Sequence, residues 1–311
     1  MDFIVESKLK NIINNSILKY QNNSTRLSFI ITYNGNDIIY GDDDIYDIGS
    51  ISKVFTSLLI IDLYKQNKLD LNDTIDKYII LPKGKYPTIA SLLMHRAGYY
   101  NLTPFNFTFF SLLIHHYKNK NPYENIVNED IKKEIIKRRK HLKSNYGYSD
   151  YAYAILTIVI ENVLNNHFDV IMNEYLKRIG MKKSNCIYDN LKRISKKNWI
   201  WHNNNPYLSS GGIASCNSDM LAFVKYELNN NDGLEFNILD KHNLTYFTTK
   251  KGSIFYHVGG VGYFRSAMLI NPKRKIGIVV MGNNIGKRGA NPYYIAKLLY
   301  TAIRRNKIKW E

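Results

Sequence analysis

Asp47-Ile-Gly-Ser50-Ile-Ser-Lys53-Val-Phe-Thr56-Ser-Leu-Leu-Ile-Ile-Asp-Leu-Tyr-Lys-Gln66 is the stretch from which the rest of the chain can be read. Val54, Leu58, Leu59, Ile61 and Leu63 recur at helical spacing, so Gly49–Gln66 is expected to be a helix with one apolar stripe. Ser50 and Lys53 lie three residues apart at its start and share a face. There the lysine nitrogen reaches the serine hydroxyl. A serine is a poor nucleophile until a neighbour removes its proton, and a helix N-terminus favours negative charge developing beside it. By itself the Ser-x-x-Lys spacing is common, and a capping serine beside an exposed lysine is the better account of it.

Working outward, Arg26–Tyr33 and Asp37–Tyr40 read as strands joined at Asn34-Gly35-Asn36, a hairpin signal. Before them, Ile4, Leu9, Ile12, Ile13, Ile17 and Leu18 recur as on an amphipathic first helix. The middle of the chain reads as largely helical, with segments at Thr88–His95, Asn106–Tyr117, Asn128–Arg139, Asp150–Leu164, His167–Ile179 and Ser218–Leu228. Strands return at Ile254–Val258, Gly262–Ile270 and Ile276–Met281, and Asn291–Arg304 closes as a helix. Strands at both ends around a run of helices imply an α+β fold. Its antiparallel sheet is expected to be flanked by the N- and C-terminal helices. A helical insertion (about 88–230) then packs against the α/β part (about 1–87 and 231–311), all in one domain over 1–311. A ligand cleft is expected between the two parts.

The 311 residues carry 43 Lys+Arg against 26 Asp+Glu, a net charge of +17. Such a field attracts anionic surfaces weakly. Lys, Asn, Ile and Tyr are abundant together and share A/T-rich codons, so genome composition explains the excess as readily. The densest basic runs, Lys132–Lys143, Lys192–Lys197 and Arg304–Lys309, are scattered and form no nucleic-acid-binding module. No nucleic-acid partner is expected. The longest strongly apolar stretch, Tyr151–Ile160, falls far short of the roughly 20 residues that cross a bilayer. The N-terminus lacks a secretory pattern, so a cytoplasmic protein is expected. Cys186 and Cys216 have neither disulfide-framework nor metal-ligand spacing and read as reduced, apolar side chains. His115-His116 diverge on a helix and make a poor metal site, while Asp42-Asp43-Asp44 reads as a solvated turn. No metal and no cofactor is implied.

Four further blocks follow the serine segment in order. They are Thr88-Ile-Ala-Ser-Leu-Leu-Met-His95-Arg-Ala97-Gly98, Tyr148-Ser149-Asp150, Gly211-Gly212-Ile-Ala-Ser215 with Asp219, and His257-Val258-Gly259-Gly260. With Ser50-x-x-Lys53 they resemble the serine β-lactamase-related superfamily, in the branch that holds class C β-lactamases, penicillin-binding proteins, D-alanyl-D-alanine carboxypeptidases, D-aminopeptidases and esterases. The resemblance runs from about Ile30 to Asn284 and implies a β-lactamase/transpeptidase-like fold.

The resemblance also implies roles. Ser50 would attack a carbonyl and form an acyl-enzyme. Lys53, partly desolvated beside a tyrosine, is expected to have a lowered pKa and to accept a proton. Tyr148 would shuttle that proton between nucleophile and leaving group, with Tyr146 and Tyr151 as competitors for the slot. His257 stands where β-lactamases proper carry lysine, and would donate to a substrate carboxylate or steer protons. Gly260 and Ser50 would supply the oxyanion-hole N–H groups, while Gly259 and Gly260 let a substrate backbone approach. His95 and Gly98 would shape the structure behind the site. Two departures stand out: Ala97 replaces a serine, and Asp150 replaces the asparagine of the Tyr-Ser-Asn block. A carboxylate at position 150 favours the protonated lysine or a substrate with a free amine. The expected activity is hydrolysis of an amide or ester in a small-molecule or peptide-like substrate. A true β-lactamase and a catalytically weak penicillin- or ligand-binding protein are the alternatives.

Overall fold

The computed structural model describes residues 26–99, 120–138, 145–187, 199–230, 244–249, 253–283 and 291–305. The expected first helix, the Asn106–Tyr117 helix and His115-His116 lie outside them. A six-stranded sheet is built from both ends of the described chain. Its strands are β1 (Leu27–Tyr33), β2 (Asn36–Tyr40), β5 (Phe247–Thr248), β6 (Phe255–Val261), β7 (Phe264–Asn271) and β8 (Ile276–Asn283), in the order β2-β1-β8-β7-β6-β5. Every pairing is antiparallel. Two one-stranded pieces that the sequence did not signal, β3 (Tyr46–Asp47) and β4 (Ala214–Ser215), pair beside it.

Turn chemistry fixes the hairpins. Asn34 and Gly35 both take positive φ, 48° and 85°, so β1 and β2 meet through a two-residue loop whose twist matches the strands. Gly262, read as the start of a strand, lies at φ 54° in the turn between β6 and β7. β6 in turn runs on through Gly259 and Gly260 to Val261. That extension matters, because it carries the glycine pair along the site.

Alternation along the strands divides the core. Leu27, Phe29 and Ile31 pack with Ile276, Ile278 and Val280 beneath Ile295, Leu299 and Ile303 of the closing helix, α8 (Pro292–Arg304). Ile30, Met268, Val279 and Met281 face the other way. They join Phe223 and Val224 of α7 (Asn217–Asn230) and the helices of the middle of the chain. Those are α1 (Ser52–Lys65), α2 (Ile89–Leu93), α3 (Asn128–Arg138), α4 (Asp150–Leu164), α5 (Phe168–Arg178) and the short α6 (Leu208–Gly211). Burial of a side chain such as Phe55 or Phe29 contributes about 2 kcal/mol, and both are fully buried.

The nucleophile helix differs from its expected form. Gly49–Ile51 is a 3-10 turn, and α1 begins only at Ser52. Every residue from Ser52 to Ile61 is buried, polar ones included. A single apolar stripe does not describe a helix enclosed on all sides. Its hydroxyls are satisfied by neighbouring elements: Thr56 Oγ1 donates to the Ser209 carbonyl at 2.9 Å, and Ser52 Oγ accepts from the Ile213 N–H at 3.1 Å. The Asp42–Asp44 turn is likewise pinned rather than merely solvated. Asp43 accepts from Ser218 N–H at 2.7 Å and from Lys183 at 2.6 Å, tying the approach to Ser50 onto the start of α7.

Candidate active site

Three segments converge on the amine of Lys53. Its Nζ donates to Ser50 Oγ at 3.1 Å, to Asp150 Oδ1 at 2.5 Å and to the Ser210 carbonyl at 2.8 Å. Lys53 is fully buried, whereas Ser50 is only half-buried. Burial by itself pushes the lysine pKa down. The Asp150 carboxylate and the Tyr148 phenol outweigh it and hold Lys53 well above the ordinary lysine value. The expected lowering is therefore reversed. The carboxylate that replaces the amide is the cause, and Lys53 is an ammonium ion.

Local sequence explains how these groups are presented. Ser149 has extended backbone and caps α4, its Oγ accepting from the Ala152 N–H at 3.1 Å. Tyr148 therefore lies just outside the helix and Asp150 is its first residue. The Tyr148 ring centroid stands 5.0 Å from Lys53 Nζ. Tyr146 is 52% exposed, and Tyr151 turns away to donate to the Ile131 carbonyl at 3.0 Å. Of the three tyrosines, Tyr148 is the one beside the lysine.

His95 holds this corner from behind. Its Nδ1 accepts from the Ser149 N–H at 3.1 Å, and its ring lies 4.5 Å from that of Tyr148. Burial, with Lys53 nearby, lowers its pKa to about 3, so it is neutral and carries its hydrogen on Nε2. A further partner had no signal in the sequence. Tyr123 donates to Asp150 Oδ2 at 3.2 Å while its ring stacks on Tyr207 at 4.0 Å. Ser210 stood next to the quoted Gly211-Gly212 pair, but its contribution is a backbone carbonyl, which residue type does not reveal.

On the opposite wall β6 runs against the turn that carries Ser50. Gly49 has φ 53°, and a Cβ there would lie 2.6 Å from the Gly260 nitrogen. At Gly259 a Cβ would meet the Ile48 carbonyl oxygen at 2.0 Å, and Ser266 Oγ donates to that oxygen at 2.7 Å. Close approach of two backbones is what both glycines serve. His257, upstream on β6, stacks on Phe247 with ring centroids 5.0 Å apart. Burial and then the charge of Lys53 lower its pKa to about 3. Its Nδ1 lies 3.0 Å from the Val258 carbonyl, which can only accept, so Nδ1 bears the hydrogen and Nε2 presents a lone pair. Donation from a charged imidazole to a substrate carboxylate does not fit that state. Asp219, by contrast, accepts from the Lys183 and Ser184 N–H groups at 2.7 and 2.6 Å and is structural.

Among the described residues no cluster of His, Cys, Asp and Glu could hold a metal ion, and no helix is long and apolar enough to cross a membrane. Cys186 and Cys216 are buried free thiols. Their expected reading as small interior side chains holds.

The half-buried Ser50 and the buried Lys53 thus sit between the antiparallel sheet and the helical layer. Residues 27–299 match the Beta-lactamase family model, and the chain belongs to that family. It is 26% identical over 294 residues to Protein flp of Staphylococcus aureus strain MW2, covering 82% of this chain and 54% of that one. The chain thus spans about half the length of the curated relatives it matches. It is 27% identical over 174 residues to the teichoic acid D-alanine hydrolase of S. aureus strain MRSA252, covering 54% of this chain and 39% of that protein. Its fold is similar to the octameric penicillin-binding protein homologue from Pyrococcus abyssi, with TM-score 0.71 at 19% identity over 97% of this chain and 77% of the other.

Proposed function

We propose that the chain is a cofactor-independent serine hydrolase that opens an amide or ester bond by transferring the acyl group to Ser50. The observation that carries this reading is the contact of Lys53 Nζ with Ser50 Oγ at 3.1 Å, inside a site that holds the lysine charged. A charged lysine has no lone pair to accept a proton, so the acceptor is Tyr148. Ser50 Oγ attacks the carbonyl carbon as its proton passes to Tyr148, which accepts it as the phenolate; the Lys53 ammonium stabilises that phenolate beforehand, and the negative charge moves to the oxyanion. The N–H groups of Ser50 and Gly260 receive the oxyanion, a contribution of about 10²–10³ in rate per donor. Collapse of the tetrahedral adduct expels the amine or alcohol, which takes the proton back from Tyr148. Water then attacks the acyl-enzyme by the same route, releasing the acid and restoring Ser50.

Asp150 bears on the substrate as well. Its two oxygens accept one hydrogen bond each from Lys53 and Tyr123, and a carboxylate has about four acceptor positions. The spare capacity supports a substrate with a free amine near the scissile bond. An aminoacyl ester has that chemistry, and the relative named as a D-alanine hydrolase supports a D-alanyl group as the acyl part. The test is to incubate wild type and Ser50→Ala with a fluorophosphonate and a fluorescent penicillin, read intact mass, and follow turnover of an aminoacyl ester and a cephalosporin. An adduct of wild type alone, with ester turnover, is expected. Adduct formation with penicillin but no turnover of anything would turn the reading to a ligand-binding protein, and no adduct with either probe would sink it.

A further inference from the structure

The positive charge of the chain is not spread evenly along it. Residues 241–310, which supply β5 to β8 and α8, hold fourteen Lys and Arg and no Asp or Glu. Residues 1–240 hold 29 Lys and Arg against 25 Asp and Glu. Codon usage shared by the whole chain does not produce that contrast. The sheet wall of the site is therefore built from a segment without an acid, and one of its cations, Arg265, lies beside Gly260.

Arg265 on β7 pairs with Gly260 on β6 and with Gly282 on β8, so its cross-strand neighbours on both sides lack side chains. Its own side chain lies across Gly260, where a Cβ would stand 3.4 Å from Cδ, 3.5 Å from Nε and 3.6 Å from Cζ. Successive strand residues face opposite ways. With Gly259 turned to Ile48, Gly260 and Arg265 occupy the other face of the sheet. From His257 onward the outer edge of β6 has no strand partner among the described residues, since β5 pairs only with Phe255 and Tyr256. Nη1 of Arg265 donates to the Gly262 and Phe264 carbonyls at 2.8 and 2.7 Å, which fixes the guanidinium. Nε and Nη2, a fork that matches a carboxylate, have no partner among the described residues. Burial pulls the pKa of Arg265 down and no carboxylate opposes it, the reverse of Lys53. A half-buried cation without a counter-ion is unusual in a folded chain.

We propose that Arg265 holds a carboxylate on the acyl part of the substrate, so that the group transferred to Ser50 is an acidic aminoacyl group. The two ends of β6 say which part of the substrate faces it. Tyr148, which hands a proton to the leaving group, has its ring 6.2 Å from that of Phe247, and Phe247 stacks on His257. The leaving group departs towards that end, and the acyl part continues past Gly260 to Arg265. Neutral His257 offers a lone pair and no charge, so the leaving-group end does not hold an anion. Asp150 then takes the α-amine and Arg265 the side-chain carboxylate. That this group is the acyl part rests on the hydrolase reading, and it differs from an alanyl group by the carboxylate.

Wild type is assayed on the α-methyl esters of D-glutamate and D-glutamine, which match in size and differ by one charge. The kcat/KM is expected to favour the glutamate ester by about tenfold or more, as for a charge-assisted hydrogen bond. Arg265→Gln should remove that preference through KM, and Arg265→Lys should keep part of it. Lys273→Ala, which takes a charge from elsewhere in the acid-free segment, should leave the preference intact. An equal fall on both esters in Arg265→Gln would mean that the guanidinium only supports the β6–β7 turn, and overturns the proposal. A wild type without preference overturns it too. Ser50→Ala is titrated calorimetrically with the same two esters. If wild type turns over neither ester, the hydrolase reading falls and the titrations decide the anion site. Tighter binding of the glutamate ester, lost in Ser50→Ala/Arg265→Gln, keeps it, and equal binding or no binding overturns it.

Discussion

Lys53 and Lys273 carry the same ammonium group under opposite conditions. Lys53 is fully buried and held by a carboxylate, a carbonyl and a serine hydroxyl, whereas Lys273 is exposed and makes no ion pair among the described residues. The first is fixed in charge and position by the fold. The second contributes to a field that salt can screen. The net charge of the chain therefore says little about the chemistry at Ser50, which depends on a buried lysine whose charge is matched by Asp150.

The contrast is broken most severely at the buried end. Lys53→Met should abolish turnover and, by leaving Asp150 with no counter-charge, cost about 3–5 kcal/mol of stability, read by denaturant melts. Asp150→Ala in the same background should restore part of that stability but none of the activity. Gly49→Ala comes next. A side chain at φ 53° that also strikes the Gly260 nitrogen must part Ser50 from β6, and acylation should slow by about 10²-fold with a smaller loss of stability.

Proton linkage sharpens the comparison further. His95 and His257 are neutral in the fold, with pKa values lowered to about 3 from an ordinary 6.5. The unfolded chain takes up these protons first as pH falls. Stability should be full above about pH 6.5 and decline progressively towards pH 3. Melts of His95→Gln with His257→Gln should show a flatter decline over that window, even from a lower starting point.

Asp150→Asn probes the charge of Lys53 directly. Removing the carboxylate leaves burial as the dominant influence, so the lysine should lose its proton at lower pH. If activity needs the ammonium, the alkaline limb of the kcat/KM profile moves down by about one pH unit or more. A profile that stays in place, with unchanged rates on every substrate, would remove Asp150 from both charge control and specificity. The smallest effect belongs to the exposed end: Lys273→Ala should leave Tm within about 2 °C of wild type.

Much of the fold was legible because its signals are local. Asn34-Gly35-Asn36 signals a hairpin, and the runs at Asp150–Leu164 and Ile276–Met281 read as a helix and a strand, which the structure forms at Asp150–Leu164 and Ile276–Asn283. Register at glycines was not legible, since Gly259 and Gly260 weaken a strand pattern that pairing with Ser266 and Arg265 restores. Tyr123, Phe247 and Ser210 gave no signal, because each acts through a stacked ring or a carbonyl brought in from far along the chain.

The sequence alone determined the family, the order of its blocks, and the pairing of Ser50 with Lys53 at a helix start, for these depend on residue type and short spacing. Only the tertiary structure decided that Lys53 is charged, that Tyr148 rather than Tyr146 or Tyr151 stands beside it, and that His257 is neutral. Those are questions of desolvation and of charge separation across about 97 residues of chain. Electrostatic energy depends on distance in space and on burial, and spacing along a sequence encodes neither.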